Sequence, residues 1–236
     1  MDEDIFETID FAACEASCVL AAKLGAYETY AGSPACKGPL EFDLWERTPE
    51  SGRWNGAGLK EKIAQHGLMN SLLLAPLPTA SSAQILGNNE SFEPCTQNLY
   101  VRRVLSGEFV PPNRHLLRDL IQLGFWADDV RMQLIAHNGS VQRLVLPGDL
   151  EELDKTVWEV EQRTVRGMAA DRGAYIDQSR SLSIHMVDAA TARLSSMHSH
   201  GWQLELKTGM FYLRTKAAVG ATKFTCARRQ QRPFVS

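Results

Sequence analysis

No part of this sequence is apolar for long enough to cross a bilayer: the longest such run, Leu72 to Leu77, falls far short of the roughly 20 residues that a spanning helix needs. The N-terminus, MDEDIFETID, is acidic and polar where a secretory or mitochondrial signal would be basic and then apolar, so no targeting segment is read there. An excess of one charge is also missing. With 25 Lys and Arg against 28 Asp and Glu the net charge is -3, which gives no broad basic field for nucleic acid and leaves any anionic ligand to local donors. Cysteine is scarce and odd in number: Cys14, Cys18, Cys36, Cys95 and Cys226 make no disulfide framework in 236 residues. Cys14 and Cys18 share a helix face but lack a second ligand pair, so they read as packing thiols rather than a metal site. His198 and His200 have neither a carboxylate or cysteine cluster nor a GxSxG elbow to work with. These absences predict a soluble, cytoplasmic protein with no metal, nucleic-acid or membrane partner.

What is present is a balanced composition, 44% hydrophobic and 22% charged, enough for a substantial core in one domain or part of a larger one. Ile5, Ile9, Ala12, Ala13, Ala16, Val19 and Leu20 recur at helical spacing, with Gly25 placed as a left-handed cap. Glycines and prolines from 27 to 58 predict an ordered loop, and a short helix follows over Leu59 to Gln65. Ser71 to Leu77 reads as an apolar strand, and Pro78 to Gln84 as the start of a helix directly after it. The polar Gly87 to Pro94 segment is a loop, and Asn98 to Val104 a strand. Helices are expected around Leu116 to Ile121 and Val130 to Ile135, the second ending near Asn138 and Gly139. A longer helix should bury Val157, Val160, Thr164, Val165 and Met168 and end near Gly173. A strand over Ser181 to Val187, a helix over Ala189 to Leu206 and a strand over Met210 to Thr215 complete an α/β pattern without linker or repeat. Residues 1–227 form one domain in this reading, and 228–236 a frayed basic tail.

The junction after Leu77 carries the most chemistry. A helix that follows a strand directly presents unpaired backbone N–H groups, and the hydroxyls of Thr79, Ser81 and Ser82 add donors there, so the turn suits a phosphate. The same residues also suit plain capping by Thr79 or Ser81, with Ser81 and Gln84 forming a capping box. The two readings are compatible. Asn88, Asn89, Glu90 and Glu93 fit either the substrate side of such a site or an Asn-rich turn. Phe211 and Tyr212 on their own read as aromatic packing in a strand.

The segment GLMNSLLLAPLPTASSAQILGNNESFEP resembles the PTAS phosphate-binding turn of class I ribonucleotide reductase large subunits. The likeness continues through NLYVRRVLSGEF, KTVWEVEQRTVRGMAADRGAYIDQSRSLSIHM and SMHSHGWQLELKTGMFYLRT, and upstream in IFETIDFAACEASC and YETYAGSP. The resemblance implies the C-terminal portion of a ten-stranded α/β barrel. It also implies that Pro78, Thr79, Ala80, Ser81 and Ser82 hold the phosphates of a ribonucleoside diphosphate on its way to the deoxyribonucleotide used in DNA synthesis. Met210 to Thr215 is similar to the family's paired-tyrosine strand, which relays oxidising equivalents from a radical-generating small subunit to a thiyl cysteine. Tyr212 matches the interface-side tyrosine, but its partner position is Phe211, which has no phenolic proton to release.

The family's catalytic and redox cysteines do not fall on any of the five cysteines here. The resemblance therefore implies a chain that supplies the substrate-phosphate turn, binds no cofactor itself, and works only with an upstream part or a full-length large subunit. The family further implies a thioredoxin- or glutaredoxin-type reductant, with ATP and dNTP effectors on the N-terminal part. The alternative is a degenerate, catalytically inactive paralogue that acts as a nucleotide- or subunit-binding module.

Overall fold

The computed structural model describes residues 1–216, with backbone alone at Val104. Cys226 and the basic tail from Arg228 to Ser236 lie outside the described residues. The elements in chain order are helices α1 (Asp2–Leu24), α2 (Glu41–Leu44), α3 (Gly56–His66) and α4 (Ala80–Leu86), then strands β1 (Arg102–Val104) and β2 (Gly107–Phe109). Helices α5 (Arg114–Gln122), α6 (Asp128–Ala136), α7 (Gly148–Leu153) and α8 (Gln162–Gly173) follow, and strand β3 (Ser183–Met186), helix α9 (Thr191–Gln203) and strand β4 (Tyr212–Thr215) end the order. Strands β1 and β2 form an antiparallel hairpin. Strands β3 and β4 pair in parallel, Ser183 opposite Tyr212 and Met186 opposite Thr215, with α9 as the crossover, so the α/β expectation holds in this unit.

Three apolar clusters hold the chain. Phe6, Cys14, Cys18, Leu59, Ile63 and Tyr175 join α1 to α3 and to the end of α8. Leu99, Leu116, Leu120, Leu134, Val141 and Leu150 join α5, α6 and α7. Val165, Ala169, Leu182, Ile184 and Met197 pack α8 and α9 on the β3–β4 pair.

Helix α1 turns a different face inward from the one its aliphatic residues suggest. Phe6, Glu7, Asp10, Cys14, Ser17, Cys18 and Ala21 are buried, while Ile5, Ile9, Val19, Leu20 and Leu24 are exposed. The helix is apolar on two sides, and spacing does not say which side meets α3. Two polar members of the inner face are well partnered: Ser51 Oγ donates to Glu7, and Ser17 exchanges hydrogen bonds with Asn70. Gly25 ends the helix at φ 91° and ψ 158°, a positive φ but not the left-handed helical cap. In α8, Met168 and Thr164 face outward, and the inner face is Val165, Arg166, Ala169 and Ala170. Val157 is fully buried, but in a turn before that helix.

The segment from Ser71 to Leu77 makes no β-ladder. It runs extended beside 178–181, with Gln178 N–H donating to Leu74 O (3.2 Å) and Ser181 N–H to Pro76 O (3.4 Å). Pro76 and Pro78 have no N–H to continue a ladder, and the Asp177 carboxylate instead takes the amides of Leu73 (2.9 Å) and Leu74 (2.8 Å). The strands expected from Asn98 and from Met210 begin later, at Arg102 and Tyr212.

The aliphatic stripe on α1, from Ile5 and Ile9 to Val19, Leu20 and Leu24, is an uncovered apolar surface, and such surfaces mark sites of association. Expressed alone, the chain should self-associate; a single monomeric species by light scattering after size exclusion would contradict this.

Asp10 sets a pH dependence. It is buried, receives only a weak bond from Cys14 Sγ (3.7 Å), and burial, reinforced by the charge of Asp177, pushes its carboxyl up to about 7. The folded chain thus keeps a proton that the unfolded chain releases above about pH 4. This contribution to stability is full below that pH and declines by about 1.4 kcal/mol per unit until about pH 7. Asp10→Asn should therefore raise the Tm at pH 8 and leave it nearly unchanged at pH 4, and equal Tm shifts at both pH values would refute the assignment.

Candidate functional site

The extended segment delivers the chain to Pro78, and the next residue bends it sharply. Thr79 sits in the left-handed region at φ 57° and ψ 30°, a costly conformation for a β-branched residue. Its hydroxyl donates to Pro78 O (2.7 Å) rather than to an amide of the helix. The capping box expected between Ser81 and Gln84 does not form: Thr79 occupies the N-cap without a side-chain cap bond, and Gln84 reaches Glu90 at 3.4 Å. Among the described residues the backbone amides of Ala80, Ser81 and Ser82 therefore lack partners, and the Ser81 and Ser82 hydroxyls make no bond. Thr79 to Ser82 are exposed and Pro78 half-buried. The turn presents a set of donors and no carboxylate of its own, which is the chemistry an oxyanion requires.

The following loop folds back and fixes the turn. Ser91 N–H donates to Pro78 O (2.9 Å) and Asn88 N–H to Ala83 O (2.8 Å). Gly87 closes α4 in the left-handed conformation, and Arg114 donates to Leu86 O (2.9 Å). Asn89 donates to the Glu93 carbonyl. Of the four loop residues singled out from the sequence, Asn88, Asn89 and Glu90 are exposed, whereas Glu93 is buried and accepts the Ser183 amide at 2.7 Å. Glu93 is thus a clamp that ties the loop to the first residue of β3.

The aromatic pair arrives at the same place from the other end of the chain. Phe211 N–H donates to Leu182 O (2.6 Å), and Tyr212 is the β4 residue opposite Ser183. The two rings lie 4.4 Å apart, edge to face, both half-exposed, with the Arg214 guanidinium 5.1 Å from the Tyr212 ring centroid. The phosphate-type turn, through Glu93, and the aromatic pair therefore share one anchor, the Leu182–Ser183 start of β3.

Beneath the loop lie two buried arginines. Arg172 pairs with Asp2 at 2.9 Å and sits 4.8 Å from the Phe92 ring. Burial, and the neighbouring Arg172, bring Arg180 down to about 9, with Asp2 and Glu93 opposing. His185, at the middle of β3, is lowered by burial and by Arg214. Asp177, Arg172, Arg180 and His185 were not marked by spacing; the only sequence signal was charge set among apolar residues at strand and helix ends. Cys14 and Cys18 are buried in the first cluster, as their helix face suggests, and His198 lies exposed on α9. Among the described residues no three His, Cys, Asp or Glu side chains gather as a metal site, and no helix is long and apolar enough to cross a membrane.

Residues 1–212 match the family described as "Ribonucleotide reductase, barrel domain". The chain is 58% identical over 226 residues to the ribonucleoside-diphosphate reductase large subunit of Danio rerio, covering 95% of this chain and 28% of that protein. It is 53% identical over 235 residues to the large subunit of vaccinia virus (strain Copenhagen), covering 100% and 30%. The fold is similar to the Actinobacillus ureae class Id ribonucleotide reductase alpha subunit, with a TM-score of 0.67 at 27% identity over 92% of this chain and 34% of that one. The chain thus spans under a third of the length of the curated relatives it matches. With its α/β crossover and a profile match that runs from the first residue to Tyr212, the chain belongs to the ribonucleotide reductase family and matches its barrel domain.

Proposed function

We propose that this chain works as part of a ribonucleoside-diphosphate reductase large subunit, in which the Pro78–Ser82 turn holds the diphosphate of a ribonucleotide being reduced to its deoxy form. The observation that carries this reading is the donor set itself: the three amides and two hydroxyls at Ala80–Ser82 have no partner among the described residues, on a turn pinned by Ser91 and Glu93. A turn held from both sides loses little freedom when it binds. Glu93 is a positioning residue, and Asn88, Asn89 and Glu90 lie on the exposed rim toward which the nucleoside extends. The reducing equivalents and the initiating radical come from a thioredoxin- or glutaredoxin-type partner and a small radical subunit. ATP and dNTP effectors act on parts of a large subunit outside this chain.

A second reading is favoured by one residue. Phe211 stands where a relay tyrosine is expected, so a paralogue that binds nucleotide or pairs with a complete large subunit without turning over would keep the turn and lose the relay.

A chimaera tests the turn under both readings: the Danio rerio large subunit with its matching segment replaced by this chain. Both readings expect it to bind a ribonucleoside diphosphate in equilibrium titration. Failure of the folded chimaera to bind would remove the phosphate-turn assignment from both.

A further inference from the structure

Away from the Pro78–Ser82 turn, a cleft of about 380 Å³ opens where β3 and β4 end, between Val187 and Lys216 on one side and the loop after α6 on the other. Its volume is within the range of small-molecule sites, and the carboxyl ends of adjacent parallel strands are where α/β sheets place ligands. Three basic side chains line it, His137, Arg143 and Lys216, and none pairs with a carboxylate among the described residues. The one carboxylate in the lining, Glu159, is engaged: one oxygen accepts from Ser140 Oγ, the other from the backbone N–H and hydroxyl of Thr156, each at 2.8 Å. Three carbonyls in the last turn of α6, those of Gln133, Ile135 and Leu134, are also taken, by the amides of His137 (2.9 Å), Asn138 (3.3 Å) and Gly139 (2.7 Å). Trp158 stands edge-on to His185 at 5.2 Å, with Lys216 6.0 Å from its ring centroid, so one cation is held over an aromatic wall.

We propose that this cleft, with Arg143 and Lys216 as its cations, His137 beside them and Trp158 as its wall, binds the phosphate group of a small molecule. The surplus of unpaired positive charge is local, in a chain whose net charge is -3, and a partly enclosed cleft strengthens its hold on an anion. The inference does not depend on the role given to the Pro78–Ser82 turn, because the two sites share no residue.

The test is calorimetric titration of the full chain with inorganic pyrophosphate and, separately, adenosine monophosphate, at matched ionic strength. With the turn first disabled by Thr79→Ala, Ser81→Ala and Ser82→Ala, saturable binding should persist at the cleft, and adding Arg143→Gln and Lys216→Gln together should weaken it by about tenfold or more. Both basic side chains are exposed and outside any ion pair among the described residues, so an unchanged thermal melt is expected, and Arg143→Lys with Lys216 intact should retain most of the affinity. Tighter binding of pyrophosphate points to an inorganic anion, and tighter binding of the monophosphate to a phosphorylated organic molecule; either supports the site. Absence of saturable binding, or affinity lost in the turn variant but kept in the Arg143/Lys216 variant, overturns it.

Discussion

In the Danio rerio chimaera, Phe211→Tyr is expected to raise turnover by about 1,000-fold or more from a parent close to background, equivalent to about 4 kcal/mol on the barrier. A phenol can give up its proton as it is oxidised, whereas a phenyl ring has none to give and must form a far less accessible cation. The scaffold is already suited to the exchange. The rings of Phe211 and Tyr212 lie 4.4 Å apart, Phe211 is half-exposed, and its amide holds the strand start on Leu182. Adding Tyr212→Phe to the restored chimaera should abolish the gain. Steady-state turnover with small subunit and reductant supplied checks both. If the Phe211 parent turns over at a rate near that of the Danio rerio enzyme, and Tyr212→Phe quenches it, the proposed break in the relay is wrong.

The second large effect is expected at the turn. Replacing Thr79, Ser81 and Ser82 together with alanine removes two hydroxyls without a partner among the described residues and one that braces Pro78. Two charge-assisted bonds to phosphate, at about 1.5 kcal/mol each at the low end, sum to about 3 kcal/mol, or an affinity loss of about 100-fold. The Thr79 contribution differs in kind from the serine ones. Its hydroxyl is spent on Pro78 O, so Thr79→Ala alone should cost much less than Ser81→Ala with Ser82→Ala, and single-site titrations would show that ordering.

The turn was legible in the sequence because a strand-like apolar run, a proline and three hydroxyl residues stand in immediate succession. Its conformation was less so. Local capping rules favoured a box between Ser81 and Gln84, but the left-handed Thr79 places the N-cap two residues earlier and Gln84 reaches Glu90. Glu93 looked like one more polar loop residue. Only the backbone of β3, some 90 positions later, reveals it as a buried clamp on Ser183. Long-range pairing also explains the errors in the fold. The apolar run from Leu72 has strand composition, yet its prolines and the reach of Asp177 leave it without a ladder. Helix α1 was plain from its periodicity, but a helix apolar on two sides does not declare its inner face. The β3–α9–β4 unit, with clean alternation and a single crossover, was read nearly to its ends.

The assignment rests above all on whether the hydroxyl-rich turn grips a diphosphate. Titrating a ribonucleoside diphosphate into the folded chimaera, with and without alanine at Thr79, Ser81 and Ser82, measures this directly. The account predicts binding by the parent and a loss of about 100-fold in the triple variant. Equal affinity in the two proteins, with equal thermal melts, would contradict it.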